Sequence, residues 1–209
     1  MYEIKNKEII LASASASRQA MLQNAKLRFT SQPAHIDEEA IRQSALCEGV
    51  SLPDCATLLA ESKGRRIAVA NPNAFIIASD QLLDFDGRCF SKPESLDKAK
   101  IQISELQGKK HKLHTSVVVF LDGERIWHHL SSPVITLRSL SEVEIDNYLD
   151  EIGNSALQTP ASYQIENQGC HIIAQFSGAF YDILGLPLLP LLGFMRLHGL
   201  SPANKIIAQ

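Results

Sequence analysis

The fold of this chain is decided by the stretch EIILASASASR, which occupies residues 8–18. Its apolar part, Ile9 to Leu11, predicts a buried strand, and a helical pattern runs from Arg18 to Ala25. Between them, Ser13 and Ser15 lie on a short polar turn. A strand, a turn and a helix N-terminus direct backbone N–H groups toward one point, which suits a phosphate anion. On this stretch alone, an ordinary turn with capping serines is the simpler interpretation.

The composition is that of a globular protein with an ordinary core. The chain has 209 residues, of which 45% are hydrophobic, and a formal net charge of -3. This charge gives no reason to expect a nucleic-acid or membrane-binding surface. Four scattered cysteines without a C-x-x-C motif favour reduced thiols over disulfides or zinc. The segment from Met1 to Lys5 lacks the apolar region of a signal peptide, so we expect a cytoplasmic protein.

A second apolar run predicts a central strand. Residues 74–78 are continuously apolar and are followed by Ser79-Asp80-Gln81, which predicts that a carboxylate lies where a buried strand ends. Ligands gather at strand ends in open α/β sheets. In the helix that precedes this strand, Asp54 is the predicted N-cap.

Farther along the chain, residues 113–121 and 125–137 predict the two arms of a β-hairpin with an Asp122-Gly123 turn. Four histidines lie on it and raise the alternative of a metal site: His111, His114, His128 and His129. They lack the spacing of metal ligands, so we expect polar strand positions instead. Ser141 and Glu144 predict a capping box at the start of the next helix.

Eight short motifs, in order from Ile9 to Gly199, resemble those of the Maf family of nucleoside triphosphate pyrophosphatases (septum formation inhibitor-like proteins). Residues 11–18 resemble the family motif L-A-S-x-S-P-R-R, residues 36–38 resemble I-D-E, and residues 60–63 resemble A-x-x-K. Ser79-Asp80 corresponds to S-D-T, and Lys92-Pro93 corresponds to K-P. Residues 106–108 with His111 and Thr115 resemble L-S-G-x-x-H-x-x-x-T, residues 163–166 resemble Y-x-I-Q, and residues 185–187 match G-L-P.

The resemblance implies a mixed α/β fold of the Maf/ITPase-like type, in which helices flank an elongated mixed sheet. Residues 1–209 would form one Maf-like domain, with two lobes around a central active-site cleft. It also implies a cytoplasmic enzyme that forms a homodimer, takes a nucleoside triphosphate as its substrate and hydrolyses the bond between the α and β phosphates.

The same resemblance implies the site residues. Asp80 would orient or deprotonate the attacking water, and Glu38 and Asp80 would hold Mg²⁺, with Asp37 a weaker candidate. The negative charges of the triphosphate require cations and N–H donors. The residues implied for this purpose are Ser13, Ser15, Arg18, Lys63 and Lys92.

The chain departs from the family motifs at several positions. Ala16 and Ser17 replace the proline and the first arginine, Gln81 replaces threonine, and Glu166 replaces glutamine. We hypothesise that Glu166 contacts the base or the metal and belongs to the substrate-binding residues. The departures leave one alternative open, a nucleotide-binding regulator of cell division with weakened catalysis.

Overall fold

A computed structural model describes the chain from Lys7 to Gly199. The expectation based on Met1 to Lys5 therefore lies outside the described residues. Strands and helices are interspersed along the described chain. The strands are β1 (Ile9–Leu11), β2 (Thr30–Ser31), β3 (Phe75–Phe85), β4 (Arg88–Phe90), β5 (Lys110–Leu121), β6 (Glu124–Ser131), β7 (Val134–Leu137) and β8 (Ile173–Ser177).

Two of the helices begin with side-chain caps that the sequence predicts. Ser15 caps the first helix, and Ser141 and Glu144 form the predicted capping box. The α-helices are α1 (Ala16–Asn24), α2 (Glu38–Cys47), α3 (Leu52–Ala70), α4 (Leu96–Leu106), α5 (Glu142–Ile152), α6 (Phe180–Ile183) and α7 (Leu188–Leu197), and two 3₁₀ helices cover Gly153–Gln158 and Gln168–His171. No α-helix among the described residues is long and apolar enough to cross a bilayer.

The strands form a mixed sheet with the hydrogen-bonded order β2-β1-β3-β5-β7-β8, to which β4 adds on β3 and β6 on β5. The pairs that β1 makes with β2 and β3 are parallel, whereas the pairs β3–β4, β5–β6, β5–β7 and β7–β8 are antiparallel. This mixed α/β architecture confirms the predicted fold class. The central cleft stays a prediction.

The chain divides into two compact units. Within the described part, the first unit comprises residues 7–80, 115–131 and 185–199, and the second comprises 81–114 and 132–184. The core of the first unit is built from apolar residues that include Ile10, Ala60, Ile76, Val118 and Phe120. The core of the second includes Leu83, Ile103, Leu113, Ile135 and Tyr163.

Two predicted features of the middle of the chain are wrong. The buried strand does not end near Asp80, because β3 continues to Phe85 and pairs Asp84 with Cys89 of β4. Asp80 therefore lies inside a long strand. Asp54 is not the N-cap of α3, since the hydroxyl of Ser51 accepts a hydrogen bond from the backbone N–H of Asp54.

The predicted hairpin is confirmed at its turn but not along its return arm. That arm is split into β6 and β7 at Ser132-Pro133. Proline has no backbone N–H and fits poorly inside a paired strand. After the break, β7 pairs with residues 110–112 of β5, whereas β6 pairs with residues 115–121. His111 and His114 also differ from ordinary polar strand positions because both are buried.

The buried His111 predicts a pH-dependent stability. Its Nε2 lies 2.7 Å from the hydroxyl oxygen of Tyr163, and burial lowers the pKa of His111 to about 4. The unfolded chain has the ordinary histidine pKa of about 6.5, so it binds more protons than the folded protein between these values. We expect the free energy of unfolding to fall by about 2 kcal/mol between pH 7 and pH 5 from this group.

Urea unfolding of the wild type and of the double variant His111→Phe, Tyr163→Phe measures this contribution. The double substitution removes both polar groups, so neither is left unpaired in the core. The variant should lose less stability than the wild type between the two pH values. Equal losses in the two proteins would contradict the assignment of this pH dependence to His111.

Candidate active site

The turn between β1 and α1 uses its serines for capping and for holding Arg18. The hydroxyl of Ser15 accepts a hydrogen bond from the backbone N–H of Arg18 at 3.4 Å, and the hydroxyl of Ser13 accepts one from the N–H of Ser15 at 3.2 Å. Arg18 Nη1 also donates to the hydroxyl of Ser13, at 3.3 Å. The capping interpretation of this turn is therefore confirmed. Whether the serines also contact phosphate stays a prediction.

Arg18 contributes a fixed positive charge beside two carboxylates. Its Nε donates to the carbonyl oxygen of Gly185 at 2.7 Å. Removal from water lowers the pKa of the guanidinium, and the charges of Asp80 and Glu38 oppose that effect. An arginine side chain stays charged in proteins, so the positive charge of Arg18 acts on both carboxylates.

Lys63 joins the two acidic residues that the sequence predicts as metal ligands. Its ammonium donates a hydrogen bond to Oδ1 of Asp80 and lies 2.9 Å from Oε2 of Glu38. Lys63 and Asp80 are buried, whereas about half of the Glu38 side chain is exposed. The structure thus brings Glu38, Lys63 and Asp80 together.

The local sequence explains how this cluster is placed. Gly64 follows Lys63 in α3, and a Cβ atom at Gly64 would lie 2.6 Å from the ring of Phe120 on β5. The absence of a side chain therefore lets α3 approach β5 closely. Glu38 is the first residue of α2, where Asp37 is the N-cap and accepts from the N–H of Ala40 at 2.9 Å. Asp37 therefore has a capping role.

The pKa of the Asp80 carboxyl group is shifted by its surroundings. Burial raises the pKa of its carboxyl group above the ordinary aspartate value, and the charges of Lys63 and Arg18 oppose this rise. A carboxylate with a raised pKa accepts a proton more readily than an ordinary aspartate. Such groups at the centre of a charged cluster are typical of functional sites.

The cluster also fits a hard divalent cation. Glu38 and Asp80 direct oxygens at the same ammonium, so the two carboxylates are close enough to share a cation. Within residues 7–199 there is no group of three or more His, Cys, Asp or Glu side chains suited to a metal. Mg²⁺ is often bound by one or two carboxylates, with water and phosphate oxygens as its other ligands.

Two predicted site residues lie in the second unit. Lys92 follows β4 and is exposed, and Glu166 lies on an exposed turn between the two 3₁₀ helices. Their roles stay predictions. A cavity of about 580 Å³ in the same unit is lined by residues that include Asp84, Lys110 and Gln175, but by none of the predicted site residues.

The structure also assigns contacts to residues for which the sequence predicts no role. Ser79 donates toward the carbonyl oxygen of Gly185, the same oxygen that accepts from Arg18. In the second unit, the amide of Gln81 donates to the carbonyl oxygens of Asp182 and Ile183 at 2.9 and 3.1 Å. The S-D-T and G-L-P motifs contain several of these residues, but a motif does not state which backbone atoms meet.

The chain is similar to known proteins over most of its length. A family model described as Maf-like protein matches residues 8–198. A relative from Rhodospirillum rubrum, named nucleoside triphosphate pyrophosphatase, is 43% identical over 191 residues, which cover 91% of this chain and 95% of the relative. One of the same name from Granulibacter bethesdensis is 40% identical, covering 91% and 97%. A 7-methyl-GTP pyrophosphatase from Brucella abortus is 36% identical, covering 90% and 95%.

Proposed function

The chain belongs to the Maf-like protein family, and on that premise we propose that it is a nucleoside triphosphate pyrophosphatase. It hydrolyses the α–β phosphoanhydride of canonical or modified nucleoside triphosphates, and the products are a nucleoside monophosphate and pyrophosphate. The observation that carries this proposal is the convergence of Glu38 and Asp80 on Lys63, with the charge of Arg18 acting on both acids.

Asp80 is the general base of the proposed reaction. A water molecule attacks the α phosphorus, and its proton passes to the carboxylate of Asp80 as the P–O bond forms. The P–O bond to the pyrophosphate leaving group breaks. The pKa of Asp80 is raised by burial, which favours proton acceptance, and Lys63 holds the carboxylate in one orientation.

Arg18 and Lys63 offset the negative charge that shifts onto the phosphate oxygens in the transition state. Charge stabilisation and positioning supply most of the catalysis in phosphoryl transfer. The planar fork of an arginine matches two phosphate oxygens at once. Ser13, Ser15 and Lys92 complete the proposed set of phosphate-binding residues.

We also propose that the enzyme uses Mg²⁺, with Glu38 and Asp80 as its protein ligands. When bound, the ion would neutralise part of the phosphate charge. The two carboxylate oxygens that now share one ammonium support this assignment. The same proposal includes a cytoplasmic location, a homodimer, and no nucleic-acid or membrane partner. Its cellular role would be house-cleaning, which means the removal of non-standard nucleotides.

A turnover assay against a nucleotide panel tests the proposal. The panel contains the canonical triphosphates together with methylated and deaminated ones, including 7-methyl-GTP, because one relative is named for that substrate. Each reaction is run with Mg²⁺ and with a chelator, and product analysis locates the cleaved bond. Release of pyrophosphate and monophosphate is expected. Release of inorganic phosphate with a diphosphate would contradict cleavage between the α and β phosphates.

The alternative is a nucleotide-binding regulator of cell division with weakened catalysis. Two replacements favour it: Ser17 stands where the family motif has arginine, and Glu166 stands where it has glutamine. The same panel separates the two functions. The regulator binds a nucleotide in calorimetry but turns it over slowly or not at all, whereas the enzyme binds and rapidly hydrolyses it.

Glu166→Gln is expected to change nucleotide preference. A carboxylate only accepts hydrogen bonds, whereas an amide both donates and accepts, so the two side chains recognise different base edges. We expect the ratio of kcat/KM between the best and second-best nucleotides to change by about 10-fold. Glu124→Gln, at another exposed glutamate, is the matched control. Unchanged ratios and an unchanged Mg²⁺ dependence in Glu166→Gln would remove Glu166 from the site.

A further inference from the structure

The hydroxyl group of Ser79 is buried next to the proposed base. Ser79 directly precedes Asp80 in β3, and its exposed fraction is 0%. Its Oγ lies 2.7 Å from the carbonyl oxygen of Ser116 and 2.9 Å from that of Gly185. A serine hydroxyl has one proton to donate. That proton is shared between two backbone acceptors, so Ser79 is not placed to contact a substrate.

The carbonyl oxygen of Gly185 connects this hydroxyl to Arg18. It accepts from Arg18 Nε at 2.7 Å and faces Ser79 Oγ at 2.9 Å, which accounts for both of its lone pairs. Gly185 has a φ of +95°, a conformation that glycine adopts without steric cost. A Cβ atom at this position would lie 3.5 Å from Nε and Nη2 of Arg18, so the turn places its backbone directly against the guanidinium.

These contacts determine which N–H groups of Arg18 are directed toward a ligand. A guanidinium has five N–H donors in a rigid plane. One, on Nε, is bound by the Gly185 carbonyl, and one on Nη1 is bound by the Ser13 hydroxyl. These two hydrogen bonds fix the plane of the guanidinium. The position of the Gly185 carbonyl therefore sets the direction in which the three remaining N–H groups point.

We propose that Ser79 is a positioning residue, which fixes the carbonyl oxygen of Gly185 and thereby the direction in which Arg18 presents its remaining N–H groups to the triphosphate. This inference rests on the proposed function, because it needs a polyphosphate ligand at Arg18. Loss of the Ser79 hydroxyl lets the Gly185 turn shift, and small displacements of a charged fork weaken phosphate binding. The effect therefore falls on KM more than on kcat.

A double-mutant cycle between Ser79→Ala and Arg18→Lys tests the proposal. Ser79→Ala alone is expected to raise KM for the best nucleotide by about 10-fold, the value of one hydrogen bond to a fixed group. Lysine has no Nε–H group in the position that Gly185 binds. In the Arg18→Lys background, Ser79→Ala should therefore raise KM by less than about 2-fold. Ser155→Ala, which removes another serine hydroxyl bonded to a backbone carbonyl, is the control and should leave KM unchanged.

The outcomes separate the inference from the proposed function. The inference would be overturned if the effects of the two substitutions on the free energy of binding were additive, or if Ser79→Ala kept the wild-type KM. In either case, turnover by the wild type would still uphold the proposed function. A wild type without turnover would overturn both. If Ser79→Ala fails to fold, as judged by thermal unfolding, Ser79→Cys takes its place in the cycle, because a thiol leaves no cavity and is only a weak donor. Ser79→Cys should raise KM by about 3-fold in the wild-type background. In the Arg18→Lys background, the same substitution should leave KM unchanged.

Discussion

Replacing Asp80 by asparagine is expected to lower kcat by about 1,000-fold, because an amide cannot accept the proton of the attacking water. The amide introduced by Asp80→Asn would still offer a carbonyl oxygen to the ammonium of Lys63, so the local geometry is retained. Burial raises the pKa of Asp80, which shows that its charge is costly in the folded protein. Because Glu38 still pairs with the ammonium of Lys63, we expect Asp80→Asn to lower the free energy of unfolding by less than the removal of Lys63 does.

The measurement combines single-turnover kinetics with urea unfolding of the same preparation. Asp84→Asn is the matched control, since Asp84 lies in the same strand and contacts His114 instead of the cluster. The control should keep kcat within a few-fold of the wild type. If Asp80→Asn kept most of its kcat, the base would have to be another group, and the role assigned to Asp80 would be withdrawn.

The acidic pair and its lysine could be predicted from the sequence, but their environment could not. Glu38, Lys63 and Asp80 all lie in short motifs, and the structure brings them together. The position of Asp80 inside β3 was not predictable from the apolar run at 74–78, because the polar residues Ser79-Asp80-Gln81 interrupt the hydrophobic pattern that normally marks a strand. Pairing with neighbouring strands overrides that local signal.

Contacts made by backbone atoms are the part of the site that sequence patterns miss. The carbonyl oxygen of Gly185 lies 167 residues along the chain from Arg18 and 106 from Ser79. No periodicity or motif spacing reports which carbonyl faces a side chain at such separations. By contrast, the turn that starts at Ser13 is local, and its capping bonds follow from residue type alone.

Lys63→Met is expected to damage both stability and activity, because Lys63 is the cation shared by two carboxylates. The substitution keeps much of the apolar stem of the side chain but leaves Asp80 and Glu38 facing each other without the ammonium. Removing one partner of a buried ion pair costs about 3 kcal/mol or more. We also expect kcat/KM to fall by about 100-fold, since charge at the phosphate oxygens is then offset by fewer cations.

The pH dependence distinguishes this mechanism from a general loss of packing. The charge of Lys63 lowers the pKa of Asp80, so its removal raises that pKa further above the ordinary value. A carboxyl group with a raised pKa in the folded state binds more protons there than in the unfolded chain, so its contribution to stability falls as pH rises through that range. The stability difference between wild type and Lys63→Met should therefore shrink from pH 7 to pH 5, and the acid limb of kcat/KM should move to higher pH.

Lys100→Met is the control for this comparison, because Lys100 forms an exposed ion pair with Asp146. Exposed pairs are screened by water and salt, so this variant should match the wild type in stability and in its pH profile. Urea unfolding and kcat/KM are measured for the three proteins across the same pH series. A stability loss in Lys63→Met that is constant across pH would mean that Lys63 acts through packing of its stem. The Glu38–Lys63–Asp80 cluster would then not control the protonation of the base.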